Sequence, residues 1–277
     1  MIREPQWNEI VSIEPVSADS DEYGAVRCIS VDSVDSTYLC GDFMITHNSS
    51  TLAAILRQVQ LTRKNKIITI EKPVEFMFPN DGLASINQRE VGMDTKSFGG
   101  ALTSSLRQDP DVIMIGEVRN KEEIMTLLDA ADTGHLAMST LHTKSAPATL
   151  NRIKAMFEGD EQALTLLRLS DTLQGIANQA LLIAADGKSR FAVREMLPMN
   201  KQVRRMVALG QVEQLTEYMR ENGLAMEQEL ARVAVEGRAT VEEARGKAAD
   251  PEFFDECFES IRQQIGSDNI VYEEDML

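Results

Sequence analysis

The sequence predicts a mixed chain: a small all-β segment over residues 1–48, an α/β unit with a parallel sheet over 49–200, and a helical region over 201–277. Three observations predict it. The first stretch holds short β-branched runs separated by polar turns. The second alternates apolar β-branched runs with stretches of helical period, the pattern of a parallel sheet covered on both faces. The third repeats helical periodicity, punctuated by Gly210, Gly223, Gly237 and Pro251.

Bulk properties narrow the function classes. A chain of 277 residues, 43% hydrophobic, holds one large domain or two modest ones. It has no uninterrupted apolar run of bilayer-spanning length, and its first residues lack the charged-then-apolar pattern of a secretory leader. The net charge of -16 argues against a nucleic-acid-binding surface, so no direct nucleic-acid partner is expected. Much of the acidic excess lies between Glu242 and Asp275. The three cysteines, Cys28, Cys40 and Cys257, have no metal-ligand spacing and are too few for a disulfide scaffold. A reducing, cytoplasmic location is expected.

In the first segment, residues 9–13 and 25–31 read as strands, with polar turns at 17–24 and 32–36. Residues 37–39 and 43–45 read as a hairpin around Cys40-Gly41-Asp42. Short strands in so few residues cannot bury a core alone. The segment ends at Thr46-His47-Asn48-Ser49. The Asn48 side-chain amide can attack its own backbone carbonyl, closing a succinimide and breaking the Asn48–Ser49 bond. The His47 imidazole can protonate the departing amide nitrogen, and the Ser49 hydroxyl can accept an acyl group.

Arg27-Cys28-Ile29-Ser30-Val31-Asp32, Tyr38-Leu39 and Ile45-Thr46-His47-Asn48-Ser49 resemble the C-terminal end of an intein. The resemblance covers the last two sequence blocks of that family and nothing of its first half. It implies a compact all-β fold shared with hedgehog autoprocessing domains. It also implies Asn48 as the cyclising residue, His47 as its assistant and Ser49 as the first residue of the product. Only Ser, Thr or Cys at position 49 lets the ester migrate to the freed amine through a five-membered ring. Cys28 has two readings: a small buried hydrophobe on a strand, or, with Thr46, the internal nucleophile of inteins that start splicing from a cysteine within. The second needs a lowered thiol pKa. Cys40 and Trp7 read as packing residues.

In the second segment, Leu52, Ile55, Leu56 and Val59 mark a helical face. Strands are expected at 66–70, 112–116 and 136–140, and helices at 97–107, 121–133 and 146–156. Leu166, Leu169, Leu173 and Ile176 stripe a further helix. An apolar strand ending in Gly116-Glu117 sets a carboxylate at the C-terminal edge of the sheet, where α/β folds bind ligands.

Four strings carry a second resemblance: residues 67–76, with Glu71-Lys72-Pro73; residues 88–95, with Gln88-Arg89-Glu90; residues 106–119, ending in Gly116-Glu117-Val118-Arg119; and Thr133-Gly134-His135 with Ser139-Thr140-Leu141-His142-Thr143. Together they resemble the ATPases of type II secretion and type IV pili, including retraction and conjugative relatives, from Ser49 to about Met199. The resemblance implies a RecA-like core binding ATP and Mg²⁺. In it Glu117 polarises the attacking water or holds Mg²⁺ through water, and His142 senses the terminal phosphate. Glu71 is a further carboxylate, and Arg89, Arg107 and Arg119 neutralise phosphate charge, some in trans. It also implies a homo-oligomeric, hexameric ring at the inner-membrane face of a pilus, secretion or conjugation machine. His135 is expected to make a structural contact.

A phosphate loop reads G-x-x-x-x-G-K-[ST], and no such string occurs in this chain. Ser49-Ser50-Thr51-Leu52-Ala53-Ala54-Ile55 nevertheless resembles the helix that follows one. The expectation is that Ser49 is the loop's own serine and Mg²⁺ ligand, with Ser50 beside the phosphates. The Gly and Lys then come from a precursor fragment carrying the first intein half, joined by trans-splicing. The unspliced chain is expected to hydrolyse no ATP. The alternatives are an inert remnant of a broken gene and a nucleotide-binding or interaction module without turnover. Lys72, where the family has Asp, and Asn120, replacing Asp after the arginine, depart from the pattern.

Closing strands are expected at 179–184 and 190–195 around Asp186-Gly187. Helices follow at 203–209, 212–221, 226–235, 241–247 and 252–264, with a mobile acidic end from Asp268.

Overall fold

A computed structural model describes residues 12–15, 27–30 and 48–274, with side chains over 51–264. In the first segment, β1 (Ser12–Pro15) pairs antiparallel with β2 (Arg27–Ser30), Glu14 opposite Cys28. The hairpin expected at 37–45, with Cys40, and the residues Trp7, Thr46 and His47 lie outside the described residues.

The second segment follows the alternation read from the sequence. It runs α1 (Asn48–Thr62), β3 (Lys66–Glu71), β4 (Ser85–Glu90), α2 (Phe98–Leu106), β5 (Val112–Ile115), α3 (Lys121–Asp132), β6 (Leu136–Ser139), α4 (Ala146–Lys154) and α5 (Gly159–Thr172). The sheet order is β4-β3-β5-β6, and every pairing is parallel. β3 and β5 are short, β-branched and almost wholly buried, as central strands of a two-sided sheet must be. Their alternating side chains feed two cores. Ile68, Ile70, Ile113 and Ile115 pack against Leu102 of α2 and Ala130 of α3. Ile67, Val112 and Met114 pack against Leu56 of α1.

One strand was not expected. β4 reads Ser-Ile-Asn-Gln-Arg-Glu, too polar for a buried-strand signal. Its place at the sheet edge explains the composition: among the described residues only β3 pairs with it.

Beyond α5 come the antiparallel hairpin β7 (Gly175–Ile183) and β8 (Arg190–Pro198), then α6 (Lys201–Ala208), α7 (Val212–Glu221), α8 (Met226–Val235), α9 (Val241–Lys247) and α10 (Pro251–Glu274). The turn is held by Asp186, whose carboxylate accepts the Lys188 amide (2.8 Å) and the Ser189 amide and hydroxyl (3.0 Å each), with Gly187 at φ +69°. The helical stripe expected through Ile176 breaks earlier. α5 stops at Thr172, Leu173 is extended, and Ile176 belongs to β7, so the apolar residues share one core but not one helix. The acidic end is helical in backbone as far as Glu274, further than expected.

Two cores flank the hairpin. One gathers α3 to α7 around Phe157, Leu150 and Leu215, and takes in Leu197 of β8. The other joins Leu182 and Val193 of the hairpin to Leu230 of α8 and Phe254 of α10. Among the described residues, no helix is long and apolar enough to cross a membrane.

Candidate functional site

In a parallel sheet all strands end on one edge, and the chemistry-bearing residues here gather at that edge. β3 ends at Glu71, β5 leads into Gly116-Glu117, and β6 leads into Thr140-Leu141-His142. Main-chain bonds continue past the strands: Gly116 N donates to Ile70 O (2.9 Å) and Val118 N to Thr140 O (3.0 Å). The Thr140 hydroxyl donates to Gly116 O (2.7 Å). Glu71 and Gly116 are close neighbours, since a Cβ on Gly116 would stand 3.6 Å from Glu71 Cα.

Glu117 is the centre of this edge. Its Oε2 accepts Arg119 Nε at 2.7 Å and faces Arg119 Nη2 at 2.7 Å; its Oε1 lies 3.5 Å from His142 Nε2. The Glu117 side chain is 23% exposed, while those of Arg119 and His142 are 61% and 64% exposed. Arg119 is held above the usual guanidinium pKa, first by its hydrogen bond to Glu117. The His142 loop is tied to α4: Arg152 Nη1 donates to His142 O (3.0 Å), and the Thr143 and Thr149 hydroxyls are 2.6 Å apart.

Glu71 is 6% exposed. Its Oε1 accepts the Thr69 hydroxyl (2.6 Å) and the Gln88 side-chain amide (3.4 Å). Burial pushes its carboxyl pKa up, and these hydrogen bonds oppose the shift. Gln88 also takes the Phe78 amide on its Oε1 (2.9 Å). Its positioning role was not read from the sequence, since a glutamine in a polar run gives no sign of what it will face.

α1 brings a helix start to the same edge. It joins β3 through three residues, 63–65, and runs back along the sheet, with Ala53 near its start packed on Phe76, which follows β3. The Thr51 hydroxyl donates to Gln179 Oε1 (3.0 Å). The backbones of Asn48, Ser49 and Ser50 form the first turn of α1, which runs unbroken across the Asn48–Ser49 peptide. A helix start has free amides and a positive dipole end, a natural place for an anion. The side chains of Asn48, Ser49, Ser50 and Cys28 lie outside the described residues.

The arginines separate. Arg119 sits on Glu117. Arg89, near the end of β4, donates to the Ser104 hydroxyl (2.6 Å). Arg107 is exposed just past α2, at the edge where β5 begins, so the chain does not bring it to Glu117. His135 bonds Ala130 O and the Thr133 hydroxyl at 3.0 Å each, the structural contact expected of it. Asn120 caps α3, its side chain accepting the Glu123 amide at 3.0 Å. An Asp could make the same bond, so the departure has a structural equivalent. Lys72 is exposed.

The hard carboxylate oxygens of Glu117 and Glu71 suit magnesium, which is commonly held by one or two carboxylates together with phosphates. Among the described residues, no group of three or more His, Cys, Asp or Glu could hold a metal alone.

Comparison with known proteins places this arrangement. The chain is 38% identical over 208 residues to a twitching motility protein of Neisseria gonorrhoeae, covering 74% of this chain and 55% of that one. It is 38% identical over 210 residues to the type IV pilus retraction ATPase PilT of Pseudomonas aeruginosa, covering 74% and 60%. The fold matches a crystal structure of the pilus retraction motor PilT with bound ADP, with TM-score 0.69 and 39% identity over 74% of this chain and 58% of that one. It also matches the ATPase DotB of Legionella pneumophila, with TM-score 0.67 and 28% identity over 72% and 56%. The chain thus spans a little over half the length of these relatives. A type II/IV secretion system protein family model matches residues 46–189, which take in α1, the whole parallel sheet and the Glu117–His142 edge, and the chain belongs to that family.

Proposed function

We propose that the chain is a precursor of an ATP-hydrolysing motor of the secretion or pilus type, completed by protein splicing at Asn48/Ser49. The observation that carries the reading is a juxtaposition. A helix resembling the one after a phosphate loop, with no Gly-Lys before it, starts on the edge that holds Glu117 and His142. The residues before that helix are Thr46-His47-Asn48, and the family match begins at Thr46.

In this reading residues 1–48 are the C-terminal part of an intein whose first half stands behind a segment ending in Gly-Lys, whether in the same precursor or in a second one. The upstream acyl group passes, through Cys28 or the first intein residue, to the Ser49 hydroxyl as an ester. Asn48 then closes on its own carbonyl with His47 protonating the leaving nitrogen. The freed Ser49 amine takes the acyl group from its own oxygen, leaving a peptide bond and a restored loop. The 49–200 unit then binds ATP. The Ser49 hydroxyl, and Glu117 through water, would hold Mg²⁺, which supplies charge neutralisation at the phosphates.

In this reading Glu117 orients and polarises the attacking water, a role supported by Arg119 and His142 on its two oxygens. Glu71 adds a second carboxylate, and Ser50, Arg89, Arg107 and Arg119 are the candidates for phosphate contacts. Arg107, distant from the edge in its own chain, fits a contribution to a neighbour in a hexameric ring. Such a ring would work in the cytoplasm against the membrane face of its machine.

The test mixes this chain with a fragment carrying the first intein half behind the Gly-Lys segment. The expected result on a denaturing gel is one ligated product and excised intein pieces, with ATPase activity only after ligation. Ligation that persists unchanged in Asn48→Ala would sink the splicing reading. ATP hydrolysis by the unligated chain would sink the claim that the loop must be restored.

A further inference from the structure

We infer that Glu195 is a positioning residue that couples the strand-edge site to the C-terminal helices by holding the first turns of α4 and α8 on its two carboxylate oxygens. Its Oε1 accepts the Ala146 amide at 2.5 Å, and its Oε2 accepts the Met226 amide at 3.1 Å. Each of these amides opens its helix, so one side chain satisfies an orphan donor of both. Glu195 is 3% exposed.

The position of Glu195 makes this more than a cap. It lies on β8 between Val193, which belongs to the C-terminal core, and Leu197, which belongs to the core of α3 to α7. The seam between two separately packed bodies is therefore bridged by a buried polar group with a definite geometry, where apolar contacts could slide. On the site side, α4 holds the His142 loop through Arg152 and through the Thr143–Thr149 pair. On the other side, Glu227 of α8 accepts the Ala249 and Asp250 amides at 3.1 Å each, just before α10. Two buried carboxylates thus link the His142 loop to α4, α8 and α10 in sequence. The charged group of α8 that acts on Glu195 is Glu227; the first turn of α4 carries no acid, and β7 sets Asn178 opposite. The inference rests on reading the Glu117–His142 edge as a nucleotide site, since that gives the link something to report.

Hydrogen exchange in the 277-residue chain tests the link without nucleotide. Arg152→Ala frees the His142 carbonyl, a bond made on the α4 side of Glu195 and not on α8. The expected result is a severalfold faster exchange at the Met226 amide, and no further increase when Arg152→Ala is added to Glu195→Gln. An unchanged Met226 rate in Arg152→Ala overturns the coupling, as does full additivity of the two substitutions. A second arm adds ADP to the ligated protein: Met226 protection should change in the native sequence and stay flat in Glu195→Gln at equal ADP affinity. A Met226 amide indifferent to ADP in the native protein also overturns the coupling. Failure of ADP to bind counts against the proposed function, and the first arm still decides the coupling.

Discussion

Two buried glutamates at strand positions, Glu71 and Glu195, do opposite work with the same side chain. Glu71 stands at the open edge of the parallel sheet and takes two side-chain donors, the Thr69 hydroxyl and the Gln88 amide, on a single oxygen. Glu195 stands at the seam of two cores and gives each oxygen to a different helix amide. Burial raises both carboxyls above the ordinary range, Glu195 to about 7. The two placements separate chemistry from architecture. Both side-chain contacts to Glu71 survive replacement by an amide, which still offers one oxygen. Glu195 needs two acceptors, and an amide has one.

The largest effect is expected at the strand edge that holds Glu117. Glu117→Gln in the ligated protein should lower ATP turnover by roughly 10²- to 10⁴-fold, the usual worth of a positioned acid–base group, with folding unchanged in a thermal melt. Turnover within a factor of three of the parent would remove Glu117 from the reaction.

Next is the architectural end. The pKa of Glu195 is raised because burying its charge costs more than the two amide bonds return, so stability falls as pH rises from about 4.5 through about 7. That loss is on the order of 3 kcal/mol. Glu195→Gln removes it, so urea melts should show the native chain losing ground to the variant between pH 4 and pH 8. A constant gap across that range would mean that the carboxyl titrates normally.

Glu71→Gln sharpens the contrast. Both side-chain bonds persist, so the cost should be confined to the bond from the Glu75 amide, about 1 kcal/mol, while turnover in the ligated protein falls at least tenfold. A stability loss with unaltered turnover would make Glu71 a second architectural residue. The smallest effect concerns Asn120: Asn120→Ala should cost about 1 kcal/mol through the lost cap of α3, and Asn120→Asp should leave both stability and turnover as they are.

How much of this was legible in the sequence depends on what each residue faces. β3, β5 and the helices against them announced themselves because burial on both faces forces continuous apolar runs and a clean 3.6 period. The edge position of Glu117 was legible because an apolar strand runs straight into it, whereas His142 was singled out only through the family resemblance. β4 was not, since an edge strand needs only one paired side and can be polar. The end of α5 was missed because Leu173 and Ile176 continue an apolar stripe into a new element of the same core. Glu195 passed unnoticed for a different reason. A lone acid on a strand looks solvated, and only the packing shows two helix starts converging on it.

The order β4-β3-β5-β6 has one more consequence. The two rims of the sheet are unlike: β4 presents Asn87, Arg89 and other polar groups, whereas β6 reads Leu-Ala-Met-Ser, with Leu136 46% exposed. Charge on a rim discourages stray pairing, and an apolar rim invites it. Among the described residues the sheet thus has a guarded margin and a more apolar one, and aggregation of the isolated chain should start from β6.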